Sequence, residues 1–260
     1  LAPEARLAVV APAHHFPLGT VLSLQRRLEL LNWAERTKGW IAEDDFDGEY
    51  RYSGRPLAPL RTLDRSGRVA YFSSFSKLLF PALRLSFLVL PASLVEATEQ
   101  IMDRVSVRAP LLGQGALARF ISEGHFATHL RRTRQLYAGR RETLLQAAAR
   151  HLDGLLEIVP DPGGMHVIAS PVAKLVPRFD DVAVTAAAAA AGLIVQPLSV
   201  CYAGKARRHG LILGYAGTPE PEIERALLKL GDVVSASTSR LRRLERGEAF
   251  GELAKGSARR

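Results

Sequence analysis

The stretch Val69-Ala70-Tyr71-Phe72-Ser73-Ser74-Phe75-Ser76-Lys77, continuing through Leu78-Leu79-Phe80-Pro81-Ala82-Leu83 to Arg84, constrains this chain more than any other. Its first residues, Val69–Phe72, are apolar and β-favouring and read as a buried strand. The strand ends in small hydroxyl residues and then in a single lysine. Arg84 opens a second apolar run, Leu85–Leu90, which also reads as a strand. A lysine at the lip of a buried strand is poorly placed for solubility and well placed for chemistry. Desolvation favours the neutral amine, and a neutral amine forms a Schiff base with an aldehyde. The hydroxyls of Ser74 and Ser76, with the guanidinium of Arg84 as a bidentate partner, make a set able to hold a phosphate. Taken alone, the same pattern fits a strand end with a solvated lysine.

A second stretch upstream changes that balance. Trp40-Ile41-Ala42 runs straight into Glu43, Asp44 and Asp45. A carboxylate at the C-terminal end of a parallel strand points into the crevice where open α/β sheets bind ligands. An aspartate there can hold a pyridine nitrogen protonated, which makes the ring an electron sink. Lysine, phosphate-binding arginine and ring aspartate at adjacent strand ends describe a site for pyridoxal 5′-phosphate, with Lys77 as its catalytic residue.

Four motifs extend the pattern: Pro12-Ala13-His14-His15-Phe16-Pro17-Leu18-Gly19; Ser23-Leu24-Gln25-Arg26-Arg27; Glu43-Asp44-Asp45-Phe46-Asp47-Gly48-Glu49-Tyr50-Arg51-Tyr52; and Phe75-Ser76-Lys77 with Pro81-Ala82-Leu83-Arg84. Together with Gly163-Gly164-Met165-His166, Pro197-Leu198-Ser199 and Leu213-Gly214-Tyr215-Ala216, they resemble the aminotransferase-like, fold type I domain of the MocR regulators, a branch of the GntR transcription factors. The resemblance covers nearly the whole chain apart from its last residues. It implies an α/β fold: a mostly parallel sheet in a large cofactor-binding domain, and a small α/β domain C-terminal to it. It implies an internal aldimine on Lys77, Asp44 on the pyridine nitrogen, and Ser74, Ser76 and Arg84 on the phosphate. It also implies a homodimer, a small amine or amino acid as effector, and DNA binding through a winged helix-turn-helix N-terminal to this segment.

Three positions depart from working aminotransferases of this fold. Phe16 stands before Pro17 where an asparagine is common, and Phe46 stands in the loop after Asp44 where a tyrosine is common. Both replaced groups would hydrogen-bond the cofactor's ring oxygen, and His14 or His15 is the nearest substitute. Ile212, in Leu211-Ile212-Leu213-Gly214-Tyr215, matches the arginine that grips a substrate carboxylate, and an aliphatic side chain cannot pair with one. Arg207 and Arg208, just upstream, are the candidates to replace it. An effector-sensing domain of a regulator is therefore expected first and an amino-acid aminotransferase second. A cofactor-free interaction domain that kept the fold comes third.

Composition sets outer bounds. With 260 residues, 47% of them hydrophobic, the chain can bury a large core and a smaller one. It begins Leu1-Ala2-Pro3-Glu4 without a signal pattern and reads as a piece of a longer protein. No run approaches a membrane span. One cysteine, Cys201, fits a reducing cytosol and reads as a small buried hydrophobe. No Cys/His cluster has metal-ligand spacing. The net charge of +9 reads as a solvated basic surface and a basic tail.

Strands are expected over Leu7–Ala11 and Trp40–Asp44, with a helix between them carrying Leu24, Leu28, Leu31 and Ala34 at helical spacing. Helices are expected over Pro91–Arg108, Gly113–Ser122 and His125–His151. Beyond Asp153-Gly154, strands and helices alternate, closing with a helix over Pro221–Leu230. The expected divisions are 1–125 for the large domain, 126–154 for a long connecting helix, 155–234 for the small domain and 235–260 for a disordered or frayed basic tail.

Overall fold

In a computed structural model the chain is described over residues 4–54, 57–105 and 109–245. It divides into two compact units. One runs to Leu136 and takes in Asp161–Gly164; the other holds Tyr137–Pro160 and the chain from Met165. The division thus falls within the long helix expected to connect two domains.

The first unit is built on a four-stranded sheet in the order β1 (Leu7–Val10), β2 (Trp40–Asp44), β3 (Val69–Ser74), β4 (Ser86–Val89). β1, β2 and β3 are parallel, and β4 runs antiparallel to β3. Helix α1 (Leu24–Thr37) starts at Ser23, whose hydroxyl accepts the amide of Arg26, and ends at Lys38 in the left-handed region. It buries Leu30, Leu31, Trp33 and Ala34 against Ala8, Ile41, Leu60 and Val69. Leu24 and Leu28, expected on the inner stripe, are exposed, and Arg27 faces inward instead. The buried stripe follows the 27–30–31–34 face because Arg27, 3% exposed, spends its guanidinium on the carbonyls of Pro12, Leu22 and Ala58.

Strand alternation then decides which side chains reach which face. Ile41 and Glu43 point toward α1, so Ala42 and Asp44, in register with Ala70 and Phe72, lie on the other face. α2 (Leu60–Leu63) is one short turn, and the Glu43 carboxylate accepts the amides of Leu60 and Arg61 at 2.7 and 2.8 Å. α3 (Phe75–Leu78) follows β3 directly. Beyond β4 come α4 (Ala92–Arg104) and α5 (Leu111–Ser122), neither with a buried residue. Leu111 and Leu112 are 83% and 100% exposed. α6 (His125–His151) passes from the first unit into the second.

The second unit carries an antiparallel sheet in the order β5 (Leu156–Ile158), β6 (His166–Pro171), β8 (Leu211–Gly214), β7 (Gln196–Pro197), with α7 (Asp181–Ala190) before β7. Its last helix, α8, spans Glu220–Glu245 rather than ending at Leu230. Leu230, Val234 and Thr238, each four residues from the next and buried, carry the buried face past the expected end, so the start of the supposed tail is helical. Residues 246–260 of that tail lie outside the described residues. Among the described residues no helix is long and apolar enough to cross a membrane.

Candidate cofactor site

The edge of the first sheet gathers the residues that the sequence spaces far apart. β2 and β3 are parallel, so Asp44 and Ser74 end their strands on the same edge. A parallel β4 would need a crossover of about a dozen residues or more. The antiparallel β4 instead returns within the short stretch that holds α3 and the 3-10 turn Pro81–Leu83. Arg84 therefore comes back to the edge at which Lys77 departs. The amide of Phe75 donates to the carbonyl of Leu85 at 3.0 Å and closes this loop.

Ser74 caps α3: its hydroxyl oxygen accepts the amide of Ser76 at 3.1 Å. The backbone below Lys77 is pinned by two buried or half-buried donors. The hydroxyl of Tyr50, which is 1% exposed, reaches the carbonyls of Lys77 and Leu78 at 3.2 and 3.4 Å. His129 Nε2 lies 2.9 Å from the same Leu78 carbonyl. The Lys77 side chain itself is exposed, so the desolvation expected from its strand-end position is not supplied by this chain alone. Arg84 is exposed too and sits at φ 53°, ψ 27°, a left-handed conformation that a residue with a Cβ adopts only where its surroundings impose it.

Carboxylates concentrate at the end of β2. Asp44 is half-buried, and its carboxyl is raised above the ordinary range, first by burial and then by the charges of Asp45 and Asp47. Among the described residues no hydrogen bond to it offsets that penalty. Asp45 accepts the amide of Gly48 at 3.1 Å and the hydroxyl of Tyr71 at 2.8 Å; burial and this charge push the Tyr71 phenol up. Glu43, the first acid of the trio, belongs to the opposite face and caps α2. Burial, opposed by its two amide contacts, raises its carboxyl as well.

His14, expected beside the cofactor, is 3% exposed, with Nδ1 2.9 Å from Asp47 and Nε2 3.3 Å from Asp161. Both ring nitrogens thus face protein carboxylates. Burial alone would lower its pKa. The hydrogen bonds and charges of Asp161 and Asp47 outweigh that and raise it to about 9. Phe46 is half-buried with its ring centroid 6.3 Å from that of His14, whereas Phe16 is 47% exposed and His15 is exposed. Gly163, expected in a turn, forms an isolated antiparallel bridge with Arg51, and Gly164 donates to the carbonyl of Tyr50 at 2.8 Å.

In the second unit Arg207 and Arg208 are exposed on the loop before β8. Ile212 is 5% exposed in the middle of that strand, in register with Ile168 and Gln196. Cys201 is exposed rather than buried. Asp181, fully buried, accepts from the amides of Ser199 and Gly210 and from the Ser199 hydroxyl, with His209 Nδ1 at 3.1 Å. This node holds the backbone at Ser199 and Gly210.

Tyr50, Asp47 and Asp161 carry little signal in the sequence. Asp47 and Tyr50 lie inside the Glu43–Tyr52 motif, where only the polar character of the loop marks them. Asp161 had no local signal, since its partner is 147 positions away.

The donor set suits pyridoxal 5′-phosphate. A half-buried carboxylate crowded by two others favours a cation such as a protonated ring nitrogen, and an amine and a guanidinium stand on the same edge.

The aminotransferase class I and II family model matches residues 2–230. The probable rhizopine catabolism regulatory protein MocR of Rhizobium meliloti is 42% identical over 215 residues, covering 83% of this chain and 43% of that protein. The HTH-type transcriptional regulator YhdI of Bacillus subtilis, itself uncharacterized, is 38% identical over 224 residues, 86% of this chain and 47% of that protein. This chain spans about half the length of these curated relatives. Among solved structures, the α-aminoadipate aminotransferase LysN of Thermus thermophilus, complexed with N-(5′-phosphopyridoxyl)-L-leucine, superposes with a TM-score of 0.80. Its identity is 24%, over 89% of this chain and 59% of that one.

Proposed function

The chain belongs to the aminotransferase class I and II family, and on that premise we propose that it is the pyridoxal-phosphate-binding effector domain of a MocR-type transcription regulator. The observation that carries this reading is the meeting of Asp44, Lys77 and Arg84 on one edge, from the ends of three adjacent strands. The similarity to two HTH-type regulators supports the regulatory half of the reading.

When bound, the cofactor supplies an aldehyde that condenses with amines and a ring that withdraws electrons. The chain's own groups hold and orient it. Lys77 Nζ is the attachment point, on a backbone that Tyr50 and His129 fix. Asp44 keeps a proton on the ring nitrogen, while Arg84 and the hydroxyls of Ser74 and Ser76 take the phosphate. Phe46 and Phe16 bring no donor to the ring oxygen. Such a site holds cofactor and responds to an amine or amino acid. DNA contact would come from a winged helix-turn-helix outside this chain. A homodimer is part of the proposal, supported by the exposed apolar residues of α4, α5 and β4.

A working amino-acid aminotransferase is the second reading, favoured by the shared fold. The deciding experiment uses the intact protein: absorbance with and without borohydride, peptide mapping of the reduced adduct, and turnover with amino acids. Label on Lys77 with slow turnover supports the regulator. Label on another lysine overturns the site, and fast turnover favours the enzyme.

A further inference from the structure

We infer that His14 is a positioning residue of the cofactor site, an imidazolium clamped between Asp47 and Asp161 that holds the two phenylalanine-bearing loops in place. The geometry requires the charge. Ionised carboxylates only accept hydrogen bonds, so two carboxylate neighbours, at 2.9 Å from Nδ1 and 3.3 Å from Nε2, call for a proton on each ring nitrogen. The three residues come from three separate loops. His14 sits two positions before Phe16, Asp47 directly after Phe46, and Asp161 in the segment that turns through Gly163-Gly164.

The packing around the ring is built for this clamp. Gly164, at φ 84°, lies so close that a Cβ there would collide with the His14 ring, and a Cβ on Gly19 would collide with the Asp161 carboxylate. Asp161 Oδ1 also accepts the amide of Gly163 at 3.1 Å, so one carboxylate orders its own turn and closes the clamp. The tyrosines join the same loops from the other side. Gly164 donates to the carbonyl of Tyr50, and the Tyr52 hydroxyl donates to the carbonyl of Gly164 at 2.6 Å. The charged groups nearest the ring are Asp47 and Asp161 in contact, with Asp45 and Arg51 lining the small cavity beside it. The three carboxylates outnumber the single guanidinium, and a positive charge on the ring offsets part of that negative excess.

His14 thereby acts on the site through Phe46 and Phe16 rather than by touching the cofactor. That second step rests on the pyridoxal-phosphate reading; the clamp itself does not. The two are tested separately on the intact protein. With ¹⁵N-labelled histidine, His14 is expected to keep both ring protons at about pH 8, where an ordinary imidazole is neutral. Asp161→Asn, which keeps an acceptor and removes one charge, is expected to lower the pH at which the second proton is lost. A neutral His14 at that pH, or a titration unmoved by Asp161→Asn, overturns the clamp. In the cofactor-loaded protein, His14→Asn and Asp161→Asn are expected to shift the pH midpoint of the visible absorbance band and to change its circular dichroism. Spectra coincident with wild type in the milder Asp161→Asn overturn the positioning role. Failure of wild type to take up cofactor overturns the pyridoxal-phosphate reading and the positioning role with it, while the histidine titration still decides the clamp.

Discussion

The Tyr50 hydroxyl donates to the carbonyl oxygen of Lys77 across 3.2 Å, so the backbone of the site lysine is held from beneath by a residue 27 positions upstream while its side chain stays in solvent. A buried phenol thereby ties the loop after β2 to the turn after β3.

Tyr50→Phe keeps the ring and removes this tie. A net loss of about 1 kcal/mol in unfolding free energy is expected for the hydrogen bond. Urea unfolding of the intact protein measures it, with a faster loss of bound cofactor expected alongside. An unchanged midpoint would mean that His129 alone fixes the turn.

Glu43→Ala is expected to destabilise more, by about 2 kcal/mol or more, because it strands the amides of Leu60 and Arg61 without an acceptor. Denaturation, with cofactor affinity as the second readout, separates this from a site effect. Stability should fall while the affinity per folded molecule stays near wild type, since Glu43 faces away from Asp44.

Arg84→Ala is expected to raise the dissociation constant for pyridoxal phosphate about tenfold or more, the value of a charge-assisted phosphate contact. The left-handed backbone at φ 53° is equally strained for alanine and arginine, so the comparison isolates the guanidinium. Spectrophotometric titration of the intact protein gives the constant, and an unchanged value would move the phosphate elsewhere.

Stability should fall in mildly alkaline solution. The folded pKa of His14 is raised from 6.5 to about 9, so its contribution is fully present below pH 6.5 and is lost as pH rises through about 9. The amount at stake is about 3 kcal/mol. Unfolding midpoints measured across this window should decline in wild type and stay flatter in His14→Asn. A wild-type curve as flat as the variant's would contradict the clamp.

Phe46→Tyr would return a donor toward the cofactor's ring oxygen. The bound cofactor's absorbance is expected to hold its protonated form through and above neutral pH in wild type and to titrate at lower pH in the variant. If wild type already titrates below neutral and the tyrosine changes nothing, the ring-oxygen argument fails.

Much of this arrangement follows from the sequence alone, because its signals are local. Apolar runs ending in acids or hydroxyls mark β2 and β3, and apolar residues at helical spacing mark α1. The order Asp44, Lys77, Arg84 falls at strand ends for the same reason. Tertiary structure decided the rest, where the outcome depended on which partner a group met. Antiparallel pairing of β4 brings Arg84 back to the edge, and the packing of α1 sends Glu43 to the opposite face from Asp44. Burial of Val234 and Thr238 carries α8 through what composition marks as a tail. His14 reads in the sequence as a loop residue beside a ligand; its identity as a clamped cation depends on Asp161, 147 positions away. Periodicity reports neighbours one turn or one pleat apart, whereas a hydrogen bond across that separation leaves no pattern in the chain between its ends.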